Sequence, residues 1–214
     1  MGRIMVSTFQ DFEKCRLKMM RTGCYMGKVV MRFGEVVLKT SQYDTLKSWY
    51  SQVLDTEPMF ESERTAETGP SGMTQMCVIR PYLEFPFTET LVILNVPGLR
   101  QPDETVPGMH HFQMQFASID DLFDRYEALT AHGIAPARSA NHGPSTSFYH
   151  RDPDGNQVEL SVKNYATEAE TLAFIQSEAF RRNPSGIDVD PAAYVGRYRG
   201  GVSFEELRRI PEPV

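Results

Sequence analysis

The alternation of apolar and polar positions becomes legible at residue 35. Glu35–Thr40 is short and β-branched and predicts a strand. Across residues 42–54, Tyr43, Leu46, Trp49, Tyr50, Val53 and Leu54 recur at helical spacing. They predict a helix with one apolar face against a sheet. Residues 58–61, 73–80 and 90–96 read as strands, with a loop of turn formers at 63–72 between the first two. After a linker at 97–107 the order repeats, starting with a strand at 110–117. Ser118, with Asp121 three residues on, starts a helix whose buried stripe is Leu122, Tyr126 and Leu129, and Gly133 ends it. Short strands follow at 135–139, 147–151 and 157–162. Asp152-Pro153-Asp154-Gly155 turns the last two into a hairpin, since proline presets one φ and glycine supplies a positive one.

These are two βαβββ units in tandem, offset by about 76 residues from Glu35 to His111. The expected layout is an N-terminal extension at 1–33 with one short helix near 9–20, a first module at 34–97 and a second at 108–164. A helix at 168–180 and an irregular tail complete 165–214, all within one structural domain.

Side chains alternate along a strand, so each strand has two faces. In the strand at 110–117, His111, Gln113 and Gln115 share one face while Phe112, Met114 and Phe116 share the other. The strand at 157–162 divides likewise into Gln157, Glu159 and Ser161 against Val158, Leu160 and Val162. The apolar faces belong against helices. The polar faces are either simply wetted or line a site that uses a histidine from one strand and a carboxylate from another.

With 41% hydrophobic residues in 214, the chain can bury a substantial core. A net charge of −6 and a pI near 5.4 argue against nucleic acid as a partner. Cys15, Cys24 and Cys77 are odd in number and at no metal-binding spacing, as expected for reduced thiols in a cytoplasmic protein. No apolar run is long enough for a bilayer and the start carries no secretory pattern, so no membrane association is expected.

The tandem modules, the histidine that opens the second one, and the hairpin Tyr149-His150-Arg151-Asp152-Pro153-Asp154-Gly155-Asn156-Gln157-Val158-Glu159 resemble the vicinal oxygen chelate superfamily. It includes glyoxalase I, methylmalonyl-CoA epimerase, bleomycin- and fosfomycin-resistance proteins and type I extradiol dioxygenases. Four further features are similar to small extradiol dioxygenases of the biphenyl-diol type. They are Val36-Val37-Leu38-Lys39-Thr40, the Trp49-Tyr50 pair, and the stretches Asn141-His142-Gly143-Pro144-Ser145-Thr146-Ser147 and Asn183-Pro184-Ser185-Gly186. The resemblance spans roughly residues 34–164 and implies an α+β fold, two βαβββ modules forming a half-barrel around a metal and substrate cavity. Many members of this superfamily pair as homodimers.

In the extradiol branch two histidines and a glutamate bind Fe(II), leaving adjacent positions for a catecholate and O2. By position, His111 matches the second histidine and Glu159 the carboxylate. Tyr149 stands where the branch keeps a tyrosine behind the ligands, and His142 where it keeps a histidine that hydrogen-bonds substrate or bound oxygen. The place of the first ligand histidine holds Glu35, and no histidine precedes His110. The counterpart of Glu159 in the first module is expected to be Ile93. Lys39, Ile93 and Gln113 are expected in the cavity, with Val37, Gln75, Cys77, Gln115 and Ser161.

Two carboxylates on one divalent cation remove the positive charge that would attract a catecholate, an effect of several kcal/mol at about 4 Å in a low-dielectric pocket. Two oxygen ligands and one nitrogen also favour harder ions, so Mn(II), Mg(II) or Zn(II) stand beside Fe(II). Three chemistries fit this altered Glu35/His111/Glu159 set. One is a dioxygenase acting with O2 on a small aromatic diol or related phenol. Another is a lyase, isomerase or cyclase using the cation, or Glu35 as base. The third is a metal-free binder of small molecules. Glu35 also reads as a solvated strand-start residue, and Trp49 and Tyr50 as core. His110 and His150, of opposite strand parity, read as structural, and His132 as a partner of a helix C-terminus.

Overall fold

Each predicted module closes a sheet of its own. The computed structural model describes residues 33–66, 72–84, 87–100 and 108–210. Its first sheet contains β1 (Glu35–Thr40), β2 (Phe60–Glu61), β3 (Gln75–Glu84) and β4 (Phe87–Asn95), in the order β1-β4-β3-β2. Helix α1 (Tyr43–Leu54) joins β1 to β2. The second sheet contains β5 (Phe112–Phe116), β6 (Arg138–Asn141), β7 (Ser145–Arg151) and β8 (Gln157–Lys163) in the matching order β5-β8-β7-β6. Helix α2 (Ile119–Ala131) joins β5 to β6, and β9 (Ile187–Asp188) is added at the outer edge. In both sheets the first strand runs parallel to the last, and the remaining pairs are antiparallel. The architecture is α+β with a repeated βαβββ order.

Local chemistry accounts for the element ends. The Ser118 side chain accepts the Asp121 N–H and caps α2, while Gly133 takes φ +76° just beyond its end. Gly155 takes φ +87° and its N–H bonds the Asp152 carbonyl, closing the β7–β8 turn.

Three expectations need correction. The strand expected at 110–117 is only Phe112–Phe116: pairing with β8 begins at Phe112 opposite Val158, and His110 and His111 precede the ladder. The helix expected at 168–180 is broken into α3 (Glu168–Ile175) and α4 (Glu178–Arg182), where Ser177 caps a new helix. The tail is regular: α5 (Pro191–Arg199) begins at an Asp190 cap with proline in its first turn, and α6 (Phe204–Leu207) at a Ser203 cap. The helix expected near 9–20, with Cys15 and Cys24, lies outside the described residues. Cys77 is a buried free thiol.

One core cluster joins both modules and the tail. It contains Leu46, Tyr50, Ile79 and Ile93 from the first, Leu122, Phe123, Phe148 and Leu160 from the second, and Tyr194 and Leu207 from α5 and α6. Polar bonds fasten the modules above it. The fully buried Tyr50 donates its hydroxyl to Asp152 Oδ2 at 2.9 Å, and Gln42 Nε2 donates to the Pro153 carbonyl and Asp154 Oδ1. Burial raises the Asp152 carboxyl against the pull of its Asn156 and Tyr50 donors. Among the described residues no helix is long and apolar enough to cross a membrane.

Candidate functional site

The site grows from the centre of the second sheet. Strand β8 places Glu159 directly between Gln113 of β5 and Tyr149 of β7. Glu159 is only 4% exposed, and a carboxylate so buried is costly unless its oxygens are bonded. Its Oε1 accepts from Gln113 Nε2 at 2.8 Å and from Ser147 Oγ at 2.6 Å. Its Oε2 lies 3.0 Å from His111 Nε2. Adjacent strands thus gather one carboxylate, one imidazole and two neutral donors.

Tyr149 forms the next layer. Its ring meets those of His111 and His142 edge-on, with centroids 5.6 and 5.9 Å away, and the Arg138 guanidinium covers it at 5.5 Å. Its hydroxyl is 2.8 Å from His142 Nε2. Burial, then the nearby Glu159 charge, push the phenol up to about 12, so it remains a proton donor at neutral pH.

His142 sits on the loop between β6 and β7, held by buried amides. Asn141 Oδ1 accepts from the Gly143 N–H, and Asn164 Nδ2 donates to both Asn141 Oδ1 and the Gly143 carbonyl. Asn141 Nδ2 in turn donates to the Arg208 carbonyl at 2.8 Å. Gly143 has φ +90°, and a Cβ there would lie 2.0 Å from the Phe174 ring, so the tail packs onto the loop as closely as glycine permits.

His111 and Glu159 fit a divalent cation. Their 3.0 Å separation is that of an ordinary hydrogen bond, and it also lets both atoms reach one cation about 2.1 Å from each. His110 Nδ1 lies 2.7 Å from His111 Nδ1. A metal on His111 Nε2 would leave its Nδ1–H to be donated to His110, the arrangement that fixes a ligating imidazole. Among the described residues no group of three His, Cys, Asp or Glu side chains is close enough to hold a metal ion. The structure therefore joins His111 to Glu159, and joins Glu35 to neither. Glu35 is exposed at the start of β1, in register with Thr90, and Lys39 is exposed further along, opposite Leu94.

Ile93 is not on the site face. It is fully buried in the core cluster, and its partners across the sheet, Leu38 and Cys77, belong to the same cluster. The first-module triplet in register with Gln113–Glu159–Tyr149 is Val37–Val92–Val78. The true counterpart of Glu159 is Val92.

Sequence reasoning missed Ser147, His110, Asn164 and the tail carbonyl that meets His142. Ser147 shares the parity of Tyr149, and applying the alternation argument to that strand would have found it. His110 was set aside by a strand parity that does not apply before β5 begins. Nothing local in the sequence marks Asn164, and Asn183-Pro184-Ser185-Gly186 stands out by resemblance but not as a partner of His142.

Residues 32–160 match the family model described as the Glyoxalase/Bleomycin resistance protein/Dioxygenase superfamily. The chain is 34% identical over 177 residues to biphenyl-2,3-diol 1,2-dioxygenase 2 of Rhodococcus globerulus, covering 82% of this chain and 86% of that protein. It is 31% identical over 181 residues to biphenyl-2,3-diol 1,2-dioxygenase 3 of the same organism, covering 84% and 88%. A solved glyoxalase/bleomycin resistance protein/dioxygenase domain from Frankia sp. EAN1pec aligns at 21% identity with a TM-score of 0.48, covering 63% of this chain and 99% of that one. The chain belongs to the glyoxalase/bleomycin resistance protein/dioxygenase superfamily.

Proposed function

We propose that this chain is a metal-dependent, extradiol-type dioxygenase acting on a small aromatic diol or related phenol, with Fe(II) as its first-choice metal and Mn(II), Zn(II) or Mg(II) as alternatives. The observation that carries this reading is the approach of His111 Nε2 to Glu159 Oε2, with the Tyr149–His142 pair beside it. The two biphenyl-diol dioxygenases that the chain matches along most of its length support the same chemistry.

His111 and Glu159 would hold the cation, with Glu35 as the third ligand once β1 offers its carboxylate. When bound, the metal supplies adjacent coordination positions for the diol oxygens and O2. The chain's own groups do the rest. His142 Nε2, now paired with the Tyr149 hydroxyl, accepts the proton of an incoming diol hydroxyl. The Tyr149 phenol, held protonated by burial, donates a hydrogen bond to the oxygen that becomes negative. Gln113 and Ser147 fix Glu159 so that its Oε2 points at His111.

The test is anaerobic loading with each of Fe(II), Mn(II), Zn(II) and Mg(II), desalting, metal analysis, then oxygen uptake with biphenyl-2,3-diol and catechol. About one equivalent of iron or manganese, with uptake and a coloured ring-cleavage product, is expected. Retained metal without oxygen uptake would overturn the oxygenase reading in favour of a lyase, isomerase or cyclase. No retained metal with either substrate present would favour a metal-free binder. For the third ligand, Glu35→His is expected to raise both iron retention and ring cleavage, and no gain in either would remove residue 35 from the metal.

A further inference from the structure

His142 touches the protein at both ring nitrogens, and only one of these partners has a choice of role. Nε2 faces the Tyr149 hydroxyl, which can donate or accept. Nδ1 lies 2.8 Å from the backbone carbonyl of Ser185, which can only accept. A neutral imidazole carries one proton, so the carbonyl places it on Nδ1 and leaves the Nε2 lone pair free. We infer that the C-terminal segment is a positioning element of the site: the Ser185 carbonyl locks His142 in its Nδ1–H tautomer, so that Nε2 accepts the Tyr149 proton rather than competing for it. This rests on the reading of His142 and Tyr149 as working groups, although the tautomer itself can be read without any metal or substrate.

The delivery of that carbonyl is built into the fold. The edge strand β9 pairs with β6 through Ile187 opposite Asn141 and Asp188 opposite Ala140. Arg138 bonds Asp188 at 2.9 Å, and Asn183 Nδ2 bonds the Gly186 carbonyl at 2.6 Å. Gly186 has φ +72°, and a Cβ on it would lie 2.1 Å from the Asn141 carbonyl oxygen and 2.5 Å from His142 Cα. Only glycine lets the tail approach the His142 loop this closely. The Ser185 side chain has no part in the argument; its backbone carbonyl does.

The test is long-range 15N NMR of the full-length, metal-free protein at neutral pH. The chain holds five histidines, and loss of one set of signals in His142→Gln assigns the ring. The expected wild-type spectrum shows a pyrrole-type Nδ1 and a pyridine-type Nε2. Gly186→Ala, with its other amide signals in place, is expected to average both nitrogens between the two tautomers. Tyr149→Phe is expected to keep the Nδ1–H tautomer, because the carbonyl remains. A wild-type Nε2–H tautomer would overturn the inference, as would a folded Gly186→Ala with unchanged His142 shifts or a tautomer scrambled by Tyr149→Phe. If Gly186→Ala fails to fold, the wild-type and Tyr149→Phe spectra decide alone. A chain that consumes no oxygen yet shows the predicted tautomer would end the dioxygenase reading and leave this inference standing.

Discussion

The two modules share one wiring diagram and differ in what they place on it. At three positions in register, the first module presents Val37, Val92 and Val78, while the second presents Gln113, Glu159 and Tyr149. The reverse face also differs, since fully buried Ile79 in β3 corresponds to His150 in β7. Neither substitution disturbs the sheet, because both register and hydrogen-bond ladder are backbone properties. The repeat thus separates scaffold from chemistry. At these three positions one copy keeps an apolar face, and the other carries the amide, the carboxylate and the phenol.

Copying the first module into the second breaks this contrast most severely at Glu159. Glu159→Val reproduces Val92, removes the acceptor of Gln113, Ser147 and His111, and is expected to weaken metal retention by more than about 100-fold. Metal analysis after desalting, with the circular dichroism spectrum unchanged, checks it. Wild-type metal content would move the site elsewhere.

Tyr149→Phe keeps the ring and deletes the proton donor. A fall of about 100-fold in kcat with unchanged metal content is expected. A parallel loss of metal would instead make the phenol oxygen a ligand.

The core face supplies a pH test. His150 is 1% exposed, neither ring nitrogen has a hydrogen-bond partner among the described residues, and burial pushes it from 6.5 down to about 4. Because its folded value is depressed, the stability it contributes is complete above about pH 6.5 and is lost as pH falls toward about 4. Wild type should therefore lose about 2 kcal/mol between pH 7 and pH 4.5 that His150→Ile does not lose. Urea midpoints of the two proteins at both pH values are the measurement. Equal acid sensitivity would mean that the ring gains a partner or water on protonation.

The smallest effect is expected at the joint. Tyr50→Phe removes the donor to buried Asp152, at a cost of about 1–2 kcal/mol. Differential scanning calorimetry should show one transition moving down as a unit, and two separated transitions would refute the shared core.

Much of this contrast was legible in the sequence. Spacing located the strands and helices, turn chemistry located the hairpin, and alternation placed Gln113 and Glu159 on one face. What failed was register. Naming Ile93 as the first-module counterpart of Glu159 missed by one residue, and a slip of one exchanges the two faces of a strand. Loop lengths differ between the copies, so counting along the chain cannot show which residue stands opposite which. The tail was misread for a related reason. Asp190-Pro191 and Ser203 carry good cap signals, but only docking onto β6 and the shared core explains why such short helices persist. Contacts as distant in sequence as His142 with Ser185 leave no local trace.

The Tyr50–Asp152 bond spans 102 positions of the chain. On a ribosome, α1 emerges with its buried hydroxyl unmatched and waits for the whole second repeat to be made. Closing so large a loop is entropically costly before any contact rewards it, which slows folding and ties its completion to the end of synthesis. The first repeat is therefore the surface on which the second is finished. Destabilising α1 should delay maturation of the second repeat, without touching His111, Glu159, His142 or Tyr149.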